Sequence, residues 1–297
     1  MSNRNFMKKL KTEYLGRGFS VFCGMLIIAL TISIVAFVTY KGLNTFTKHG
    51  YSMTEFLFSL TWDPEAKIPK FGSLYFILGS IFVSFGAVII SAPISIALAV
   101  FMNNISPKFG QNFLQPALEI FVGIPSVVYG WIGITLVVPL IKKYFSGVGF
   151  SLLAGILVLS VMILPTIASI AADAVRLVPR SYVEASYGLG ATRWQTIKNV
   201  IIPSSFNGIL TGIVLGLARA FGEALAVTMV IGNSIRMPSN LFKPMSTLTG
   251  ILTMDMANTF NGTAWNDALW SLALILLVSS FIFIFIIKGI GSRGDKH

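Results

Sequence analysis

DAVRLVPRSYVEASYGLGATRWQTIKNVIIP, residues 173–203, is the one long polar segment enclosed by apolar runs on both sides, and the chain reads as its mounting. Ser181-x-x-Glu184 and Thr192-x-x-Gln195 both have the spacing of a capping box, so each is expected to open a short helix. Gly188 and Gly190 between them allow the left-handed turn that would end the first. The expected product is a helix–turn–helix knuckle. It carries Arg176, Arg180, Arg193 and Lys198 against Asp173 and Glu184, and offers Tyr182, Val183, Tyr187, Leu189, Trp194 and Ile197 as apolar contact points. Such a surface suits docking.

The composition around it places the knuckle at a membrane. With 55% hydrophobic residues, 11% charged residues and a mean hydropathy of +0.80, the chain has too little polar surface for a water-soluble domain. A net charge of +11 would suggest nucleic acid in a soluble protein, but here it fits lysine and arginine gathered in cytoplasmic segments. A single cysteine, Cys23, lies in an apolar run, and His49 and His297 stand apart, so neither a disulfide framework nor a metal centre is expected.

Six apolar runs, at 18–40, 72–102, 113–141, 150–172, 207–235 and 264–287, each reach the roughly 20 residues needed to cross a bilayer. The expected class is an all-α integral membrane protein with six transmembrane helices. Residues 1–17, with Arg4, Lys8, Lys9, Lys11 and Arg17, form an N-terminal cytoplasmic segment, residues 18–290 the membrane domain, and residues 291–297 a cytoplasmic tail. Residues 41–71 read as an exterior loop. This arrangement puts thirteen basic residues inside and eight outside, with Arg219 left in the membrane. The positive-inside rule thus places both termini and the knuckle in the cytoplasm.

Pro93, Pro125 and Pro165 interrupt their runs, and each alone is as well explained by a tolerated kink as by a pathway. Gly123-Ile124-Pro125-Ser126 stands out because glycine precedes the proline. The amides opening the following half-helix at Ser126 could attract an anion. In the fifth run Gly208, Gly212, Gly216, Ala220 and Ala224 recur every fourth residue, a ladder that admits another helix closely, from this chain or a second subunit. Arg219 and Glu223 are also four apart, so in a continuous helix they share a face and can pair. Intramembrane charges at roughly 2.5–3.5 kcal/mol each usually face a pathway, although an ion pair that only locks packing is the alternative.

Glu184-Ala185-Ser186, then Gly190, then Val200-x-Ile202-Pro203, resembles the EAA loop of ABC-importer permeases, EAA-x3-G-x9-I-x-L-P, with Ser186 for the second alanine. The resemblance implies the type I (MetI-like) permease fold, with residues 173–206 as the loop whose coupling helices enter a groove of an ATP-binding subunit. Glu184, Ala185, Gly190 and Pro203 are the coupling residues it points to. RAFGEALAVTMVIGN at 219–233 and GIPSVVYGWIG at 123–133 further resemble the phosphate-specific permeases of the PstC type, as do Trp62-x-Pro64 and Phe71-Gly72. Met254-Asp255-Met256 departs from the ending of that type.

What the resemblance implies is a permease of the bacterial inner membrane that pairs with a second, PstA-type permease. An external binding protein delivers inorganic phosphate, and two ATP-binding subunits carry the ATP and magnesium, this chain binding no cofactor and catalysing nothing itself. Arg219, Glu223 and Ser126 are the expected path residues, with Glu223 holding Arg219 until phosphate competes for the guanidinium. A permease for another oxyanion, sulfate or molybdate, would carry the same coupling loop, and a secondary transporter would need no ATPase. A DNA-reading helix-turn-helix is excluded because apolar runs anchor both ends of the knuckle, and the chain contains no G-x-x-x-x-G-K-[ST] nucleotide loop.

Overall fold

The computed structural model describes residues 15–145 and 147–291, and among these the protein is a helical bundle with one two-stranded ribbon. The N-terminal segment before residue 15 and the tail after 291 lie outside the described residues, so the sidedness expected from their basic residues is not addressed by the fold. Helix α1 (Leu15–Thr47) leads into a short α2 (Met53–Phe58) and strands β1 (Trp62–Asp63) and β2 (Lys70–Phe71). Then follow α3 (Leu74–Val100), α4 (Gln115–Gly123), α5 (Ser126–Tyr144), α6 (Leu152–Arg176), α7 (Arg180–Gly188) and α8 (Arg193–Ser204). Helices α9 (Phe206–Gly222), α10 (Leu225–Ile231), α11 (Leu248–Asp255) and α12 (Ala264–Gly291) complete the chain.

Among the described residues five helices are long and apolar enough to cross a membrane, or six if the pair α8–α9, bent by 66°, is taken as one span. The first begins at Leu15 and runs on to Thr47, beyond the expected end near residue 40. The expected loop over 41–71 is folded rather than open. Trp62 pairs with Phe71 across the ribbon, and its ring packs edge-on against Phe71 and Phe76 at 5.4 and 5.3 Å. Three aromatic rings thereby anchor a segment most of whose other residues stay exposed or half-exposed.

Helix α6 is the centre of the bundle. Ser151 caps it by accepting the Ala154 N–H, and its buried positions, from Leu152 through Ile163 to Val175, touch helices on every side. Helix α3 packs along it in parallel: Ser95 donates to the Leu164 carbonyl and Asn103 to that of Ala172, each at 3.0 Å. Pro93 and Pro165 sit inside unbroken helices, unlike Pro125.

The small-residue ladder faces α6 within the same chain. A Cβ at Gly208 would lie 2.4 Å from that of Ala174, and one at Gly216 would lie 2.5 Å from Ile167 Cγ1, while Gly212 abuts Ile170. Hydrogen side chains at these three steps are what let α9 and α6 approach. Ala220 is buried in the same row, but Ala224 falls beyond the end of the helix.

Two spans are broken. Between α4 and α5, Ile124 and Pro125 are extended, and the Tyr129 hydroxyl donates to the Phe121 carbonyl at 2.8 Å, satisfying an acceptor that the break frees. The fifth run, expected as one helix, ends at Gly222 and restarts at Leu225, because Glu223 takes extended angles of −73° and 123°. Gly232, at φ +88°, closes the second piece.

Beyond it, α11 ends at Asp255. Burial first, and then the nearby carboxylate of Glu65, raise the Asp255 carboxyl above its ordinary range. Between the ordinary and raised values the folded chain binds more protons than the unfolded one, so stability falls as pH rises through that window. Asp255→Asn stays neutral throughout. It is expected to melt on the order of 1–2 °C above the parent at neutral pH, a small gain because the group is partly solvated, with the gap closing below the ordinary carboxylate range. Thermal unfolding in detergent over a pH series checks this.

Candidate functional site: an intramembrane arginine and a coupling knuckle

Arg219 lies in the last turn of α9, half-buried, and its Nη1 donates to Thr166 Oγ1 on α6 at 2.8 Å. Tyr129 of α5 stands within electrostatic reach of the guanidinium. Three broken or proline-bearing spans thus converge on one cation. The expected pairing with Glu223 is not formed. Because the helix stops at Gly222, the four-residue register that would stack the two side chains is lost, and Glu223 turns the other way. Its Oε1 accepts the Ala226 N–H at 2.9 Å, capping α10, and its carbonyl accepts the Thr249 hydroxyl at 2.9 Å. Among the described residues the one basic–acidic side-chain contact within ion-pair distance is His49 Nε2 with Asp267 Oδ2, 2.9 Å apart.

Glu223 faces a small polar recess shared with Ser80, Ser84, Thr247 and Thr249. Ser80 Oγ accepts the Leu248 N–H at 2.9 Å and Thr247 Oγ1 accepts that of Gly250 at 3.1 Å, so the start of α11 is tied to α3 beside the break. Ser126 opens α5, half-buried, and hydrogen-bonds neither Arg219 nor Glu223. The three expected path residues therefore occupy separate positions around the breaks. Thr166, which holds the arginine, was not singled out by the sequence: the only hint is a hydroxyl directly after Pro165.

The knuckle forms with one of its two expected caps. Thr192 and Gln195 make the full capping box, the Thr192 N–H donating to Gln195 Oε1 at 2.8 Å and the Gln195 N–H to Thr192 Oγ1 at 3.3 Å. The Ser181–Glu184 box is absent. Pro179 precedes the first residue of α7, Arg180, so Ser181 is already inside the first turn and cannot serve as the cap. Glu184 and Ala185 are left exposed on α7. Gly190, at φ +82°, makes the reversal.

Ser186, the residue that replaces alanine in the EAA pattern, bonds Thr196 at 2.9 Å and so ties α7 to α8. Arg193 is not a free docking charge. Its Nη2 donates to the carbonyls of Asn104 and Ile105, fixing α8 to the π-helical turn that extends α3. Ile197 is likewise withdrawn, buried in a core cluster with Ala172, Val175 and Ile201. What faces outward is Leu189, 89% exposed, with Leu177, Trp194, Tyr182 and Tyr187. Pro203 follows a π-helical turn over Ile197–Ile201, which accommodates its missing N–H before the chain bends into α9.

Residues 91–293 match the family model described as "Binding-protein-dependent transport system inner membrane component". Over 282 residues the chain is 51% identical to the "Probable ABC transporter permease protein YqgH" of Bacillus subtilis, covering 95% of this chain and 91% of the relative. It is 33% identical to the "Phosphate transport system permease protein PstC" of Pasteurella multocida, covering 94% and 90%, and 34% identical to that of Mesorhizobium japonicum, covering 95% and 89%. Among solved structures, a bacterial alginate ABC transporter in complex with an alginate pentasaccharide-bound periplasmic protein superposes with a TM-score of 0.63 at 16% identity, over 97% of this chain and 99% of that one. The inward-facing MetNI methionine transporter gives 0.57 at 19% identity, over 75% and 94%. At such identities the likeness concerns the fold.

Proposed function

The chain belongs to the family of binding-protein-dependent transport system inner membrane components, and from that premise we propose that it is one of two permease subunits of an ATP-driven importer of inorganic phosphate. The observation that carries the reading is Arg219: a guanidinium in a membrane span, with no carboxylate partner among the described residues and one hydroxyl acceptor. Of its five N–H donors one is engaged by that bond, which leaves the planar fork open to an oxyanion. A half-buried charge in a membrane span with no carboxylate partner is costly, and a passing anion offsets that cost.

On this reading phosphate reaches Arg219 from an external binding protein and shares the guanidinium with Thr166. Glu223 keeps α10 in register across the break instead of neutralising the arginine in the empty state. The knuckle at residues 173–206 faces the cytoplasm together with both termini. Its exposed apolar residues and Glu184 enter a groove of the ATP-binding subunit, where ATP and magnesium are bound and hydrolysed. A second, PstA-type permease completes the path. The relatives named as phosphate permeases support the cargo, and the MetI-like fold supports the division of labour.

Arginine alone does not tell one oxyanion from another, so cargo is tested by competition. Uptake of labelled phosphate into cells that rely on this system is expected to be suppressed by unlabelled phosphate and left unchanged by equal sulfate or molybdate. Suppression by equal sulfate or molybdate as strong as that by phosphate overturns the assignment.

A further inference from the structure

Helix α1 is fastened to α12 at one end only. Ser271 Oγ bonds the Gly42 carbonyl at 2.6 Å and Thr45 Oγ1 at 2.7 Å, His49 pairs with Asp267, and the Phe37 and Trp270 rings meet edge-on at 5.2 Å. Past these contacts, toward the start of α1, the helices enclose a groove of about 450 Å³ whose third wall is α9. The first helix is otherwise bare, with Phe19, Met25 and Ile27 all more than 60% exposed.

We propose that this groove between α1, α9 and α12 is a binding site for one acyl chain of a membrane phospholipid. All three walls are spans, which puts the groove at the depth of the bilayer hydrocarbon. Its lining carries no charged residue, and its two hydroxyls are already committed: Thr31 donates to the Ile27 carbonyl and Ser280 to that of Leu276, each at 2.8 Å. An occupant therefore needs no polar group at this depth, which fits a hydrocarbon tail. A further helix, about 10 Å across, needs more room than a groove of about 450 Å³ in which α12 already touches both α1 and α9.

The α9 wall of the groove includes Ala218, next to Arg219, and Gly222, the last residue of its helix. A Cβ at Gly222 would meet nothing within 4 Å, so the space beside the break is open in the protein alone. A seated acyl chain supports α9 from behind, on the side away from α6.

The test uses the assembled transporter in vesicles containing a phospholipid with a photoactivatable diazirine near the end of one chain, with adducts mapped by peptide mass spectrometry. Adducts are expected to concentrate on groove residues such as Ile34 and Phe281, above the level at Ile89, an exposed residue outside the groove. Gly222→Leu and Ala273→Leu, which fill the slot from different walls, are each expected to remove the groove adducts and leave those at Ile89. Groove labelling no higher than at Ile89, or labelling that survives both substitutions, overturns the proposal. So does efficient disulfide trapping between a cysteine at position 273 and another subunit, which would show that protein covers the groove.

Discussion

Arg219→Lys lowers phosphate uptake by about 10- to 100-fold in transporters that still assemble, and Arg219→Gln lowers it at least as far. The scale follows from losing charge-assisted hydrogen bonds of roughly 1.5–3 kcal/mol. Lysine keeps the charge but not the planar pair of donors, so a route that needed only positive potential would accept it. Thr166 separates orientation from charge. With the Nη1 acceptor removed, Thr166→Val is expected to weaken half-saturation by a few fold, about the worth of one neutral acceptor. Thr166→Ser, which keeps the hydroxyl, restores it. Initial-rate uptake against external phosphate, normalised to assembled complex, measures all four variants. Normal uptake by both arginine variants removes Arg219 from the path.

Gly190→Val disconnects the motor. At φ +82° a β-branched residue is strained by about 1–3 kcal/mol, while its Cβ would meet nothing within 4 Å. The effect is therefore conformational: the reversal that holds α7 against α8 opens, and the exposed faces of Leu189 and Trp194 lose their common orientation. ATP-dependent uptake is expected to fall more than about 10-fold, together with co-purification of the ATP-binding subunit, while the chain still inserts in the membrane. Gly188→Ala is the control. Gly188 is helical with open space at its Cβ, so this variant is expected to behave as the parent.

The knuckle was readable because its determinants are local. Thr192 and Gln195 are three residues apart and Gly190 needs only its own backbone, so short-range chemistry dictates the turn. The ladder at Gly208, Gly212 and Gly216 was readable as a close-approach surface, and the structure supplied what a period cannot, the identity of the opposing helix. The errors share a cause: each assumed that a local pattern would continue. Ser181 and Glu184 have the spacing of a cap, but Pro179 sets the helix start two residues too early for it. Arg219 and Glu223 have the spacing of a pair, but the backbone breaks between them. Nothing in Phe221-Gly222-Glu223-Ala224 announces that break in the way Pro125 announces its own. Glu223 is fixed by partners 3 and 26 residues ahead, at Ala226 and Thr249, and Arg219 by one 53 residues back, at Thr166. The aromatic ribbon over 62–71 was hidden because the cross-strand contact of Trp62 with Phe71 and its contact with Phe76 on α3 are invisible to a window that averages charge.

The most direct test is to reconstitute this chain with its partner permease and ATP-binding subunits in sealed proteoliposomes, add the loaded phosphate-binding protein outside, and follow labelled phosphate in the lumen. If the chain is the path of an ATP-driven phosphate importer, phosphate accumulates only when ATP reaches the ATP-binding subunits, and Arg219→Gln vesicles stay empty. Accumulation that proceeds without ATP, or that is unchanged by the loss of Arg219, would contradict the account.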